Sequence, residues 1–134
     1  MAEFMARAWA PMHGVDVEVR SASTLGLVDR GADLKVIAVC NEIGLDLTPH
    51  KSQPLTEALV RWADIIGVME IQHATEVRAL APHLAFDVVM PLGAYIGKAE
   101  IADPIGGWTR GPFRTARDEI RIGVTAILEG LSVD

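Results

Sequence analysis

The stretch Asp64-Ile65-Ile66-Gly67-Val68-Met69-Glu70 decides the fold of this 134-residue chain. Ile65, Ile66, Val68 and Met69 form a near-continuous apolar run bounded by two carboxylates. At that length the run predicts a central strand buried on both faces of a parallel sheet, not a helix. Downstream, the pattern predicts a helix from Gln72 to about Leu80 and another strand over Phe86 to Met90. Upstream, Thr56 to Trp62 reads as a short helix. Further back, Val15, Val17 and Val19 alternate with Asp16, Glu18 and Arg20, a short strand with one wet face near a sheet edge. Strands alternating with helices predict an α/β domain, a three-layer α/β/α arrangement around a short parallel sheet.

Three further helices complete the outline. Met1, Met5, Ala8 and Trp9 recur at helical spacing, and Pro11, His13 and Gly14 end that helix. Asp33 is placed to cap a second helix with an apolar face of Val36, Ile37, Cys40 and Ile43, and Gly44 is its natural stop. Pro112 opens the last helix. Its apolar stripe is Phe113, Ala116, Ile120, Val124, Ile127 and Leu131, with Arg114, Arg117, Asp118, Glu119 and Arg121 on the wet face. Residues 21–30 and the glycine- and proline-rich 91–111 read as loops. Only three strands are visible, and the helix that comes first would normally follow a strand.

The chain is long enough for a single domain over residues 1–134 and too short for two. Half of its residues are hydrophobic and 22% are charged, an ordinary globular balance. Its net charge of −6 argues against nucleic acid and anionic membranes as partners. Glu3 and Arg7 interrupt any signal-like core at the start, and no apolar run approaches the about 18 residues that span a bilayer. The single cysteine, Cys40, excludes an internal disulfide, so a reducing, cytoplasmic setting is expected. His13, His73 and His83 have no metal-binding spacing and are expected at solvated positions; no cofactor or metal is expected.

Several segments, in order, resemble the low-molecular-weight protein tyrosine phosphatases, a fold shared with thioredoxin-coupled arsenate reductases. Met1-Ala2-Glu3 is similar to the Met-Ala-Glu that follows the family's phosphate-binding loop. Ser21-Ala22-Ser23-Thr24 resembles its Ser-Ala-Gly-Thr, and Ile43-Gly44-Leu45-Asp46-Leu47 leading to His50-Lys51 resembles its Gly-Ile-Asp-Leu-x-x-His-Lys. Trp62-Ala63-Asp64 and Val68-Met69-Glu70 match a strand segment, and Asp103-Pro104-Ile105-Gly106-Gly107 resembles the Asp-Pro-Tyr-Gly-Gly of the acid loop. The order and spacing agree across essentially the whole chain.

The resemblance implies hydrolysis of phosphate monoesters through a cysteinyl-phosphate, with phosphotyrosine protein as substrate. A thiolate attacks phosphorus while loop amides, an arginine and a helix N-terminus hold the phosphate oxygens. That centre is a strand ending in Cys-x5-Arg-Ser-Pro, a spacing these 134 residues do not contain. Cys40 has Asp46 where an arginine is needed, Glu42 and Asp46 oppose a thiolate, and its place on an apolar stripe reads as packing. The expectation is therefore an N-terminally truncated phosphatase, inactive as it stands. The alternative is a pseudophosphatase acting as a binding or regulatory module. Arsenate reduction needs further redox cysteines and is not expected. With the loop restored, a phosphorylated protein, an aryl phosphate or inorganic phosphate is the expected partner.

By the same resemblance Asp103 is the general acid, against an alternative as an Asp-Pro turn residue. Ser21 and His50 correspond to residues that brace the phosphate loop, against a strand-end serine and a satisfied loop histidine. Ile105 replaces the aromatic that contacts the substrate ring, and Trp108 is either its substitute as a substrate wall or an exposed loop aromatic. The family places the absent strand between the strands corresponding to residues 16–20 and 65–69. Paired strands lie about 4.8 Å apart, so its removal leaves a doubled gap or a rearranged sheet. A chain that folds poorly alone, rearranges, or borrows a strand from a partner or in a strand-exchanged homodimer is expected.

Overall fold

In the computed structural model, residues 1–131 are described. They form helices α1 (Ala2–Met12), α2 (Leu34–Asn41), α3 (Glu57–Trp62), α4 (Ile71–Leu80) and α5 (Gly111–Leu131), with strands β1 (Ile66–Val68) and β2 (Val89–Pro91). β1 and β2 pair in parallel, Ile66 opposite Val89 and Val68 opposite Pro91. Local chemistry explains the helix starts. Asp33 accepts the Lys35 N–H at the head of α2, and Thr56 accepts the Leu59 N–H at the head of α3. Gly44 takes φ +79° just past α2, a conformation that favours glycine.

The sheet is covered on both faces, which gives the expected three layers. On one side α1 and α5 enclose Met5, Ala6, Leu92, Ile101, Ala116, Ile120, Val124 and Leu128. On the other, α3 and α4 bring Val60 and Val77 against Val68 and Val89. A third cluster joins α2 to the start of α5: Val39, Cys40, Leu47 and Phe113. α5 comes close to the 92–96 turn at Gly123, where an added Cβ would lie 2.9 Å from the Leu92 carbonyl oxygen.

Four expectations require correction. Residues 15–20 alternate in exposure as a strand would, yet join no ladder, because no strand runs beside them among the described residues. The sheet accordingly has two strands, and β1 has a partner on one side only instead of being central. Phe86–Val88 is a 3₁₀ turn, so the second strand starts at Val89. On α5 the buried stripe runs through Arg117 and ends at Leu128; Leu131 is exposed and Arg117 is not on the wet face. One smaller difference concerns a side chain: His73 is half-buried in the capping box of α4. Trp62 is partly exposed under the Arg20 guanidinium, 4.2 Å from its ring centroid.

Candidate active site

The first turn of α1 carries a carboxylate that gathers two other segments. Glu3 accepts a hydrogen bond from Ser21 Oγ at 2.5 Å and pairs with Arg7 Nη2, one helical turn on, at 2.7 Å. His50 Nδ1 stands 3.6 Å from the same carboxylate. The Glu3 side chain is only 11% exposed, so these partners are what make its charge tolerable there. Burial pulls the His50 pKa below its ordinary value, and the nearby Glu3 charge opposes that shift. The ring of His50 also meets Phe4 edge to face, with centroids 5.8 Å apart. Ser21 and His50, singled out separately in the sequence, are thus brought together on one residue.

Asp103 lies in the exposed loop before α5. Its Oδ1 accepts the Ile105 N–H at 3.0 Å, which folds Asp103 to Ile105 into a tight turn. Gly106 follows at φ +90°, and a Cβ on Gly107 would lie 3.0 Å from the Pro104 oxygen and 3.7 Å from the Phe113 ring. Gly106 therefore supplies the left-handed turn and Gly107 the tight approach to the Pro104 oxygen, with the Phe113 ring at ordinary contact distance. Phe113 is fully buried in a cluster against which Met1 and Phe4 also pack. The loop carrying Asp103 and the Glu3–Ser21–His50 group consequently sit on a shared apolar support. Trp108 is 97% exposed and Ile105 is 64% exposed, so neither side chain is spent on the core.

Cys40 is fully buried, and burial pushes its thiol pKa up, the reverse of what a nucleophile needs. Among the described residues no three histidine, cysteine or acidic side chains are grouped to hold a metal ion, and no helix is long and apolar enough to cross a membrane.

Two residues of structural weight were not singled out from the sequence. Glu3 could have been found from its i,i+4 spacing to Arg7. Arg117 could have been found from its register, four after Phe113 and three before Ile120. Its Nη1 donates to the Val39 carbonyl at 2.8 Å and to Glu42 at 2.7 Å, and its Nε donates to Asp118 at 2.8 Å. Arg114 grips the same Glu42, holding its carboxyl down to about 2 with help from Arg117.

The family model described as low molecular weight phosphotyrosine protein phosphatase matches residues 1–134. The chain is 34% identical over 88 residues to the low molecular weight protein-tyrosine-phosphatase Etp of Escherichia coli K12, covering 66% of this chain and 59% of that protein. It thus spans less than two thirds of the length of the first curated relatives it matches. It is 30% identical over 122 residues to a protein-arginine-phosphatase of Bacillus subtilis strain 168, covering 90% of this chain and 79% of that one. Among solved structures, Vibrio vulnificus Wzb in complex with benzylphosphonate superposes with a TM-score of 0.82 at 30% identity, covering 97% of this chain and 88% of the other.

Proposed function

We propose, for a chain that belongs to the low molecular weight phosphotyrosine protein phosphatase family, that its scaffold serves phosphate-monoester hydrolysis on phosphorylated proteins. In this reading Asp103 protonates the leaving group and then activates water. Ser21 and His50 support the phosphate-binding side of the site, and Trp108 forms its wall. The observation that carries the reading is the acid loop itself. Asp103, Gly106 and Gly107 are held in one turn against Phe113, on the support shared with Glu3, Ser21 and His50. The relatives include both tyrosine and arginine phosphatases, so the substrate of this reading is a phosphorylated side chain of a protein, and the leaving group is that side chain without its phosphate.

Residues 1–134 contain no Cys-x5-Arg, and Cys40 is buried with a raised pKa, so these residues by themselves do not turn over substrate. An assay of the 134-residue chain with para-nitrophenyl phosphate is expected to show no release above that of the Asp103→Asn variant. Turnover abolished by Cys40→Ser would overturn this. The second reading, a binding module without turnover, is favoured by the burial of Cys40 and its raised pKa. Protein purified from its own cells separates the two. An Asp103-dependent phosphatase supports hydrolysis, and a 14.4 kDa protein with no phosphatase activity supports the binding module.

A further inference from the structure

The turn from β1 into α4 is tied to the segment that carries Asp103 on either side of one residue, Glu70. The Met69 carbonyl accepts the Ile101 N–H at 2.9 Å, and the Ile71 N–H donates to Glu100 Oε2 at 3.3 Å. Between these two ties the Glu70 N–H donates to Nδ1 of His73 at 3.2 Å. Ile101 is fully buried in the cluster of Leu92 and Ile120, and Asp103 follows two residues later. The leading stem of the acid loop therefore takes its position from residues 69–71. His73 stands at the third helical position of a capping box, where glutamate or glutamine is the usual residue. An accepting Nδ1 carries no proton, so the ring is neutral with its proton on Nε2, which faces Glu70 Oε1 at 3.5 Å.

We propose that His73 is a positioning residue for the acid loop, holding it through the β1–α4 turn in its neutral form and releasing it on protonation; the inference rests on the reading of Asp103 as the acid. Histidine changes charge between about pH 5 and 8, which the usual glutamine at such a position does not. A proton on Nδ1 removes the acceptor and sets one N–H against another, so the Glu70 N–H loses its partner. The surrounding charges draw the imidazolium away from that N–H. Glu70 lies beside Nε2, and Glu100 stands across the turn at the Ile71 N–H. On α4 itself, Glu76 accepts from Gln72. On α3, packed against α4 through Val60 and Val77, Glu57 is paired with Arg61. Lys98, ahead of the acid loop, is paired with Glu119, and β1 and β2 carry no charged residue. The cationic ring thus turns toward carboxylate, and the two ties that flank Glu70 lose their fixed geometry.

Amide hydrogen exchange of the 134-residue chain, expressed as protection factors, and long-range proton–nitrogen spectra of the histidine rings are followed from about pH 7.5 to about pH 5. The expected result is an unprotonated Nδ1 at the upper end. Protection at Ile71, at Ile101 and at Ile105, whose N–H Asp103 holds, is expected to fall about fivefold as His73 takes up its proton, the loss of one neutral hydrogen bond. His73→Gln keeps an acceptor that does not titrate, and its protection at these amides is expected to stay constant over the same range. His73→Ala at about pH 7.5 is expected to match wild type at about pH 5. A His73→Gln protein with the pH response of wild type overturns the proposal, because another group is then the cause. So does constant protection in wild type while the His73 ring is seen to titrate. Exchange, not turnover, is read, so an Asp103 that proves idle in the phosphatase assay removes the acid reading without altering these outcomes.

Discussion

Replacing Arg117 by alanine tests whether a buried cation fastens α2 to α5. Val39 lies in the last turn of α2, where carbonyls lack intrahelical partners, and it is fully buried. Arg117 satisfies that carbonyl at 2.8 Å. Alanine removes the donor and leaves the oxygen dry, a loss of about 1.5–3 kcal/mol for a hydrogen bond to a charged group. Burial of the arginine stem adds about 1 kcal/mol. The contact with Asp118, whose side chain is 60% exposed, adds little because water screens it. The expected loss is therefore about 2–4 kcal/mol, and a slope of about 2 kcal/mol per molar urea turns 3 kcal/mol into a midpoint shift of about 1.5 M. Urea unfolding at pH 7, followed by far-ultraviolet circular dichroism, reads this directly. Arg117→Lys should recover part of the loss, since one donor still reaches toward Val39. A midpoint for Arg117→Ala equivalent to less than about 0.5 kcal/mol, the scatter of ordinary surface changes, refutes the reasoning.

Gly123→Ala should destabilise by about 1–3 kcal/mol, seen as a lower melting temperature, because the added Cβ meets the backbone oxygen of Leu92 and not a flexible side chain. Glu42 has a folded pKa lowered to about 2, chiefly by the Arg114 hydrogen bond. Its contribution is therefore present above its unfolded pKa near 4.5 and lost as pH falls toward 2. Urea melts at pH 7, 4 and 2.5 should show wild type converging on Glu42→Gln, and a constant difference refutes it. Glu3→Gln should lower the His50 pKa further, because the Glu3 charge is what holds it up against burial; histidine proton resonances followed against pH report it, and a rise counts against the assigned geometry.

Helices were legible because each carries its own signals. Asp33, Thr56 and Gly44 do locally what their residue types predict, and the apolar stripe of α5 was readable through Val124. At its end Leu131 continues the period as well as Leu128 does, yet Leu131 is exposed and Leu128 buried, while Ile127 packs at the edge of the core as its place in the stripe predicts. Arg117 was assigned to water on residue type, although its register places it between Phe113 and Ile120. A charge on a buried stripe is a sign of a partner across the helix packing, here the orphan carbonyl of Val39 and the Glu42 carboxylate.

Strands are less legible, because a strand is a relation between two segments. Val15, Val17 and Val19 have the period and the alternating exposure, yet among the described residues no strand pairs with them, and Arg7 donates to the Val19 carbonyl. The sequence picked Ser21, His50 and Asp103 from three separate segments, but could not place them. The two glycines after Asp103 shape its loop: Gly106 supplies the left-handed turn and Gly107 the close approach to the Pro104 oxygen, above the Phe113 ring. Phe113 is thus both the first core residue of α5 and the floor under the acid loop. Truncating it to alanine must therefore loosen Asp103 and Phe4 together, whereas truncating Ile120, deeper in the same helix, must cost stability without moving either.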